Sequence, residues 1–147
     1  MDIKASDVKE LREATGAGLM ECKKALIEAN GDPAEATKIL KEKGLAAVEK
    51  RAERATSEGR IFVRQNGNKI ALVELTCETD FVANNEDFIA VGEKLLDITF
   101  EKGLTSVSDE HTNLLQDLQL KIRENMTVKN VVVVEVPAGA ASATYVH

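Results

Sequence analysis

The sequence predicts an α+β fold in two parts: a three-helix unit with a helical connector over residues 1–54, then a core of antiparallel strands with a helical pair over residues 55–147. Three observations carry this reading. Apolar residues recur at helical spacing through the first forty-odd positions, punctuated by glycines at 16, 18, 31 and 44. After Ser57-Glu58-Gly59 the period changes to two, in a pair of runs flanking Asn66-Gly67. Finally, Val131-Val132-Val133-Val134 is a β-branched run of strand length.

Each element follows in order. Ser6 is the expected N-cap of the first helix, with Val8, Leu11 and Ala14 or Thr15 at helical spacing behind it. Thr15-Gly16-Ala17-Gly18 breaks that pattern and permits a tight turn. Leu19, Cys22, Leu26 and Ala29, with Met20 and Ala25 beside them, mark a second amphipathic helix. It stops at Asn30-Gly31, where the glycine can adopt the left-handed conformation that closes a helix. Asp32-Pro33-Ala34-Glu35 restarts one immediately, as cap, first-turn proline and capping-box acid. Ala36, Ile39, Leu40 and Lys43 continue it to Gly44, an expected second stop. Residues 45–56 are rich in Ala, Glu, Lys and Arg with few large apolar groups, and read as a solvated helical connector.

Arg60–Arg64 and Lys69–Leu75 are the expected strands of a hairpin, with Asn66-Gly67 as its turn because both residues tolerate positive φ. Glu78–Ala83 reads as a loop. Asn84 or Asn85 caps a helix carrying Phe88, Ile89, Val91, Leu95, Leu96, Ile98 and Thr99, closed near Gly103. Ser108-Asp109 opens another, through Leu114, Leu115, Leu118, Ile122 and Met126. Val131–Val136 is expected to be a buried strand, and Tyr145-Val146 the beginning of a further one.

Composition narrows the function. A chain of 147 residues can bury roughly two-thirds of the surface its unfolded form exposes. Its net charge of −6 is uneven: residues 1–54 carry as many basic as acidic groups, so the whole excess falls on the remainder. Neither part offers the basic footprint that phosphate neutralisation needs. No Trp, one Tyr and four Phe leave no stacking platform for single strands. Direct nucleic acid binding is therefore not expected. The longest bulky apolar run falls far short of the ~20 residues of a membrane span. The opening Met1-Asp2-Ile3-Lys4 reads as lacking a secretory signal, so a soluble, cytosolic protein is expected.

Catalysis finds little support. Cys22 and Cys77 have no metal-ligand spacing and cannot form a disulfide framework. Cys22 lies on an apolar helix side as a small core residue, and Cys77 at a strand end. His111 sits in Ser108-Asp109-Glu110-His111, which could be a metal patch but reads as a solvated helix start. No phosphate-cradling loop or dinucleotide fingerprint occurs. The expectation is of no enzyme, no metal, no cofactor and no small-molecule substrate.

Two segments stand out. In Thr15-Gly16-Ala17-Gly18-Leu19-Met20, the glycines need only a helix–helix turn, yet adjacent Leu19 and Met20 cannot both face one narrow core stripe, so one can meet a partner. Thr79-Asp80-Phe81-Val82 reads either as a loop that staples a helix entry or as a binding loop whose Phe81 fills a partner's pocket.

These segments, in this order with a hairpin between them, resemble the elongation factor Ts family, the guanine nucleotide exchange factors of elongation factor Tu. The matching stretches are Val8–Arg12, Thr15–Leu26, Glu28–Asp32 and Glu78–Ala83, and the resemblance runs across the whole chain. It implies that residues 1–54 contain a ubiquitin-associated-like three-helix bundle that docks on elongation factor Tu, with Leu11, Leu19 and Met20 at docking positions. Leu19 stands where many members have methionine, a change that conserves volume. It implies that Thr79, Asp80, Phe81 and Val82 form a wedge directed at the partner's magnesium and nucleotide phosphates, and that His147 bears on the partner's phosphate-binding loop. It implies a bacterial cytoplasm or organellar matrix. Members continue past the position of His147 with further strands, so a chain shortened within the core is expected. Two other readings differ in class: a general interaction module, and an enzyme using Cys77 with Asp80.

Overall fold

The computed structural model describes residues 2–147, which form two compact units divided between Arg51 and Ala52. The division falls three residues before the boundary expected at 54/55.

The first unit contains α1 (Ala5–Thr15), α2 (Leu19–Glu28) and α3 (Pro33–Arg51). Val8, Leu11, Cys22, Ala25, Leu26, Ala29 and Ala36 form its core, with Ile39 and Leu40 packed against them. Helix α1 begins earlier than a Ser6 cap would place it. The Lys4 carbonyl accepts from Asp7 and Val8 N–H, and the Ser6 hydroxyl donates sideways to Asp7 instead (3.1 Å). Gly16 closes α1 in the left-handed region, and Gly18 N–H donates to Glu21 Oε2 at the start of α2. Asn30 (φ 51°) and Gly31 (φ 84°) turn the chain, and Asp32 Oδ1 accepts from Ala34 and Glu35 N–H as the expected cap of α3.

Gly44 does not stop α3. A helix-interior glycine costs only about 1 kcal/mol against alanine, and Leu45-Ala46-Ala47 beyond it are good helix formers. The Lys43–Glu28 pair (2.6 Å) also fastens this part of α3 to α2. The expected connector is therefore not a separate element: residues 45–51 are the end of α3, and residues 52–56 carry no helix.

In the second unit the elements run β1 (Glu58–Asn66), β2 (Lys69–Cys77), α4 (Asp80–Ala83), α5 (Glu86–Lys102), α6 (Asp109–Lys121) and β3 (Met126–Glu135). The strands form one antiparallel sheet in the order β1-β2-β3. Asn66 pairs with Lys69, so the turn is Gly67-Asn68, one residue later than expected. Only Gly67 takes positive φ (61°), at the first central position, where a type II′ turn calls for glycine. One sheet face, through Phe62, Ala71, Val73, Leu75, Val128 and Val131, packs on Phe88, Leu95 and Leu96 of α5 and Leu115 and Leu118 of α6. Contact is closest at Gly92, where an added Cβ would overlap the Phe62 ring.

Asn85, not Asn84, caps α5, accepting from Asp87 N–H (2.9 Å) and Phe88 N–H (3.3 Å). The helix expected to reach Met126 ends at Lys121, because Ile122 is extended (φ −105°, ψ 121°) and Met126 opens β3. The valine run is not a buried strand. As an end strand β3 buries Val131 and leaves Val132 and Val134 nearly half exposed, since alternate residues face opposite sides. A bulge opposite Glu74/Leu75 leaves Lys129 without a partner residue on β2. Tyr145-Val146 joins no strand. Residues 136–147 instead follow an exposed path, held where Val136 N–H donates to Asn68 O and Gln65 Nε2 to Ser142 Oγ (2.6 Å).

His111 is not solvated but fully buried. Its Nδ1 accepts from Ser108 N–H (3.0 Å), which leaves the proton on Nε2 to be donated to Thr99 Oγ1 (2.7 Å); that hydroxyl in turn donates to Leu95 O. The ring thus pins the start of α6 to α5. Burial lowers its pKa, opposed by the Glu110 carboxylate. Among the described residues, no cluster of His, Cys, Asp or Glu could hold a metal ion and no helix is long and apolar enough to cross a membrane.

Candidate partner-binding site

Thr79–Val82 is not a loop but the start of a single helical turn. Thr79 is its N-cap, extended at φ −125° and ψ 154°, with Oγ1 accepting from Val82 N–H (3.4 Å). The turn sorts its residues by exposure. Ala83 is buried, Val82 packs partly against the core, Asp80 is exposed, and Phe81 is 84% exposed. An aromatic ring held in water at the tip of a folded turn is the reverse of what folding alone selects.

Both ends of the turn are fixed by side chains from elsewhere. Upstream, Glu124 Oε1 accepts from Glu78 N–H (3.1 Å) and Thr79 N–H (3.0 Å), and its Oε2 accepts from the Thr79 hydroxyl (2.6 Å). The Cys77 thiol donates to Thr79 O (3.1 Å). Downstream, Arg60 Nε donates to Ala83 O (2.6 Å) and Arg60 Nη2 to Asn84 Oδ1 (2.7 Å).

Cys77 is fully buried, and burial first, then the charge of Glu124, pushes its pKa up to about 11. At neutral pH it remains a protonated hydrogen-bond donor, which argues against a nucleophilic role beside Asp80. Asp80 does have a neighbour among the expected site residues. It lines an open polar cleft together with His147, Arg60, Glu74 and Lys129. Tyr145 leans toward His147, their rings 6.3 Å apart and tilted by 47°.

A family model described as "Elongation factor TS" matches residues 78–147, beginning one residue before Thr79. Over its full length the chain is 55% identical to elongation factor Ts of Treponema denticola, covering 52% of that protein. It is 44% identical to elongation factor Ts of Treponema pallidum strain Nichols and 43% identical to that of Idiomarina loihiensis, covering 54% and 53% of them. The resemblance to elongation factor Ts holds along the whole chain. The chain spans about half the length of the curated relatives it matches.

In the first unit, the three residues that the elongation factor Ts resemblance marks for docking are not equivalent. Leu19 and Met20 are 50% and 62% exposed, whereas Leu11 is 4% exposed and belongs to the core. Ile27, which the sequence reading missed, is 55% exposed. It stands seven residues after Met20 and so on the same side of α2, a spacing that could have identified it. Glu124 and Arg60 were missed for different reasons. Glu124 fell inside a helix expected to continue to Met126, and Arg60 read as an ordinary strand-start charge.

Proposed function

We propose that the chain is a translation elongation factor that binds elongation factor Tu and promotes release of its GDP by binding alone, making and breaking no bonds. The observation that carries this reading is Phe81, an apolar ring almost wholly in solvent on a turn fixed at both ends. In the proposal, Phe81 enters an apolar pocket of the partner, Thr79 and Val82 frame it, and Asp80 brings its carboxylate to the magnesium side of the nucleotide site. His147, which lines the same cleft as Asp80, faces the phosphate-binding loop. The ubiquitin-associated-like three-helix unit supplies docking contacts through Leu19 and Met20, while Leu11 seats α2 from within.

The mechanism is thermodynamic linkage. A factor that binds the empty G protein more tightly than the GDP-bound form must weaken GDP by the same ratio. Disturbing the magnesium site has leverage because the cation neutralises the diphosphate against the protein. The chain needs no cofactor, metal or nucleotide of its own, and the expected setting is a bacterial cytoplasm or organellar matrix. The lack of Trp keeps its own emission low in the test, which follows a fluorescent GDP analogue leaving purified elongation factor Tu. The chain should accelerate release, and Phe81→Ala should abolish most of the acceleration. No acceleration by the unaltered chain would reject exchange activity for it.

A further inference from the structure

The side chains of Phe81 and Asp80 contribute almost nothing to holding their own turn, which closes locally where Asp80 O accepts from Asn84 N–H (3.1 Å) and Nδ2 (2.8 Å) and Thr79 caps it. A four-residue helix is far shorter than one that forms unaided, because fixing the first turn costs more than its hydrogen bonds return. With Phe81 in solvent, the turn gains no burial from its largest side chain. Its geometry therefore depends on reinforcement from outside, and the reinforcing groups are identifiable. Glu124, in the short segment between α6 and β3, gathers two consecutive backbone N–H groups and one hydroxyl on a single carboxylate. Bonds to an ionised acceptor are among the stronger ones available. They also satisfy amides that precede a helix and have no partner within it. Its neighbour Asn125 is nearly buried and donates to Arg54 O (2.7 Å) and Ala52 O (3.3 Å), which fixes the segment that presents Glu124. Arg60 closes the opposite end from β1.

We infer that Glu124 is a positioning residue for exchange, holding the Thr79–Val82 turn, with Arg60 at its other end, in the partner-engaging conformation before the partner arrives. This rests on the exchange reading above. Glu124 touches backbone and hydroxyl groups of the turn, and its role is to remove an ordering cost that would otherwise be met during binding. Apparent affinity falls in proportion to the fraction of molecules in the competent conformation, so a turn ordered one-tenth of the time would act about tenfold more weakly.

Two measurements on the full chain test this. The first needs no partner: amide hydrogen exchange of residues 80–84 in the free protein. Glu124→Ala should speed exchange there while the β1–β2 ladder keeps its protection, and Glu124→Gln, which retains one accepting oxygen, should fall between. Unchanged protection of the turn in both variants overturns the inference whatever the chain does to elongation factor Tu. The second is GDP release in a double-mutant cycle. Glu124→Ala should slow catalysed release about tenfold and have no further effect in a Phe81→Ala background. Equal losses in both backgrounds would show that Glu124 acts elsewhere and reject the positioning role. Should Glu124→Ala not fold, Glu124→Gln, which keeps the side chain's size and gives up its charge, takes its place in both measurements. Loss of release with a turn as protected as in the unaltered chain also counts against the inference.

Discussion

The cleft beside Asp80, whose largest lining segment is residues 56–61, also takes in two segments held in opposite ways. The turn carrying Asp80 and Phe81 is anchored by Glu124, Cys77 and Arg60, with Ala83 buried beneath it. The segment carrying His147 runs exposed from Val136 onward and is tied down by a backbone bond at its start and one side-chain bond at Ser142. One contributor to the cleft is therefore set in advance and the other is adjustable. A rigid anchor lowers the ordering cost of binding, whereas a loosely held segment adapts at a cost met on contact. Under the exchange reading, discrimination belongs to the turn and accommodation to the tail.

The strongest way to break this contrast is Phe81→Ala, which should weaken the complex with elongation factor Tu by about 2–4 kcal/mol if the ring is a buried anchor. Titration calorimetry or the release assay would show it, and a loss below about 0.5 kcal/mol would place the contact elsewhere. Next comes the frame behind the turn. Gly92→Ala drives a methyl group into Phe62, so the second unit should lose about 1–3 kcal/mol in denaturant unfolding. The tail contacts do not involve this seat and should keep their hydrogen bonds.

Acid provides a subtler probe. His111 is neutral in the fold with a pKa below its ordinary value, so its contribution is intact above about pH 6.5 and is lost as pH falls through the depressed folded pKa. Protonating Nδ1 would forfeit the bond from Ser108 N–H and set two donors against each other at the start of α6, while Nε2–H keeps its bond to Thr99. The thermal midpoint should drop more between pH 7 and pH 5 for the unaltered chain than for His111→Gln, and equal drops would remove His111 from the account. The smallest effect is expected for His147→Ala. An exposed residue on an adjustable segment should cost under about 1 kcal/mol of complex, and a larger loss would show the tail to be as ordered as the turn.

Legibility in the sequence followed the range of the forces involved. Local signals were read correctly where chemistry is decided within a few residues: the Asp32 cap, the Asn30-Gly31 closure, the candidate pair that included Asn85, and the hairpin itself. They misled where a distant partner decides. Gly44 was outweighed by strong helix formers and by the Lys43–Glu28 pair. The β-branched run predicted a strand but could not say that nothing would cover Val132 and Val134. His111 looked solvated because its neighbours are polar, and its burial depends on Thr99 of another helix. The site divided in the same way. Thr79–Val82 was conspicuous as a motif, but Glu124 lies 45 residues from Thr79 in the chain and left no periodic trace.

The state of the two thiols has a practical consequence for watching this cleft move. Cys22 and Cys77 are both wholly enclosed, and Cys77 stays protonated well above neutrality. A maleimide dye offered to a Tyr145→Cys variant should therefore react at that site, 85% exposed in the unaltered chain, while the native cysteines stay unlabelled. The polypeptide thus carries a silent background for fluorescence, and the tail's excursions can be followed in real time without first stripping the protein of its own sulfur.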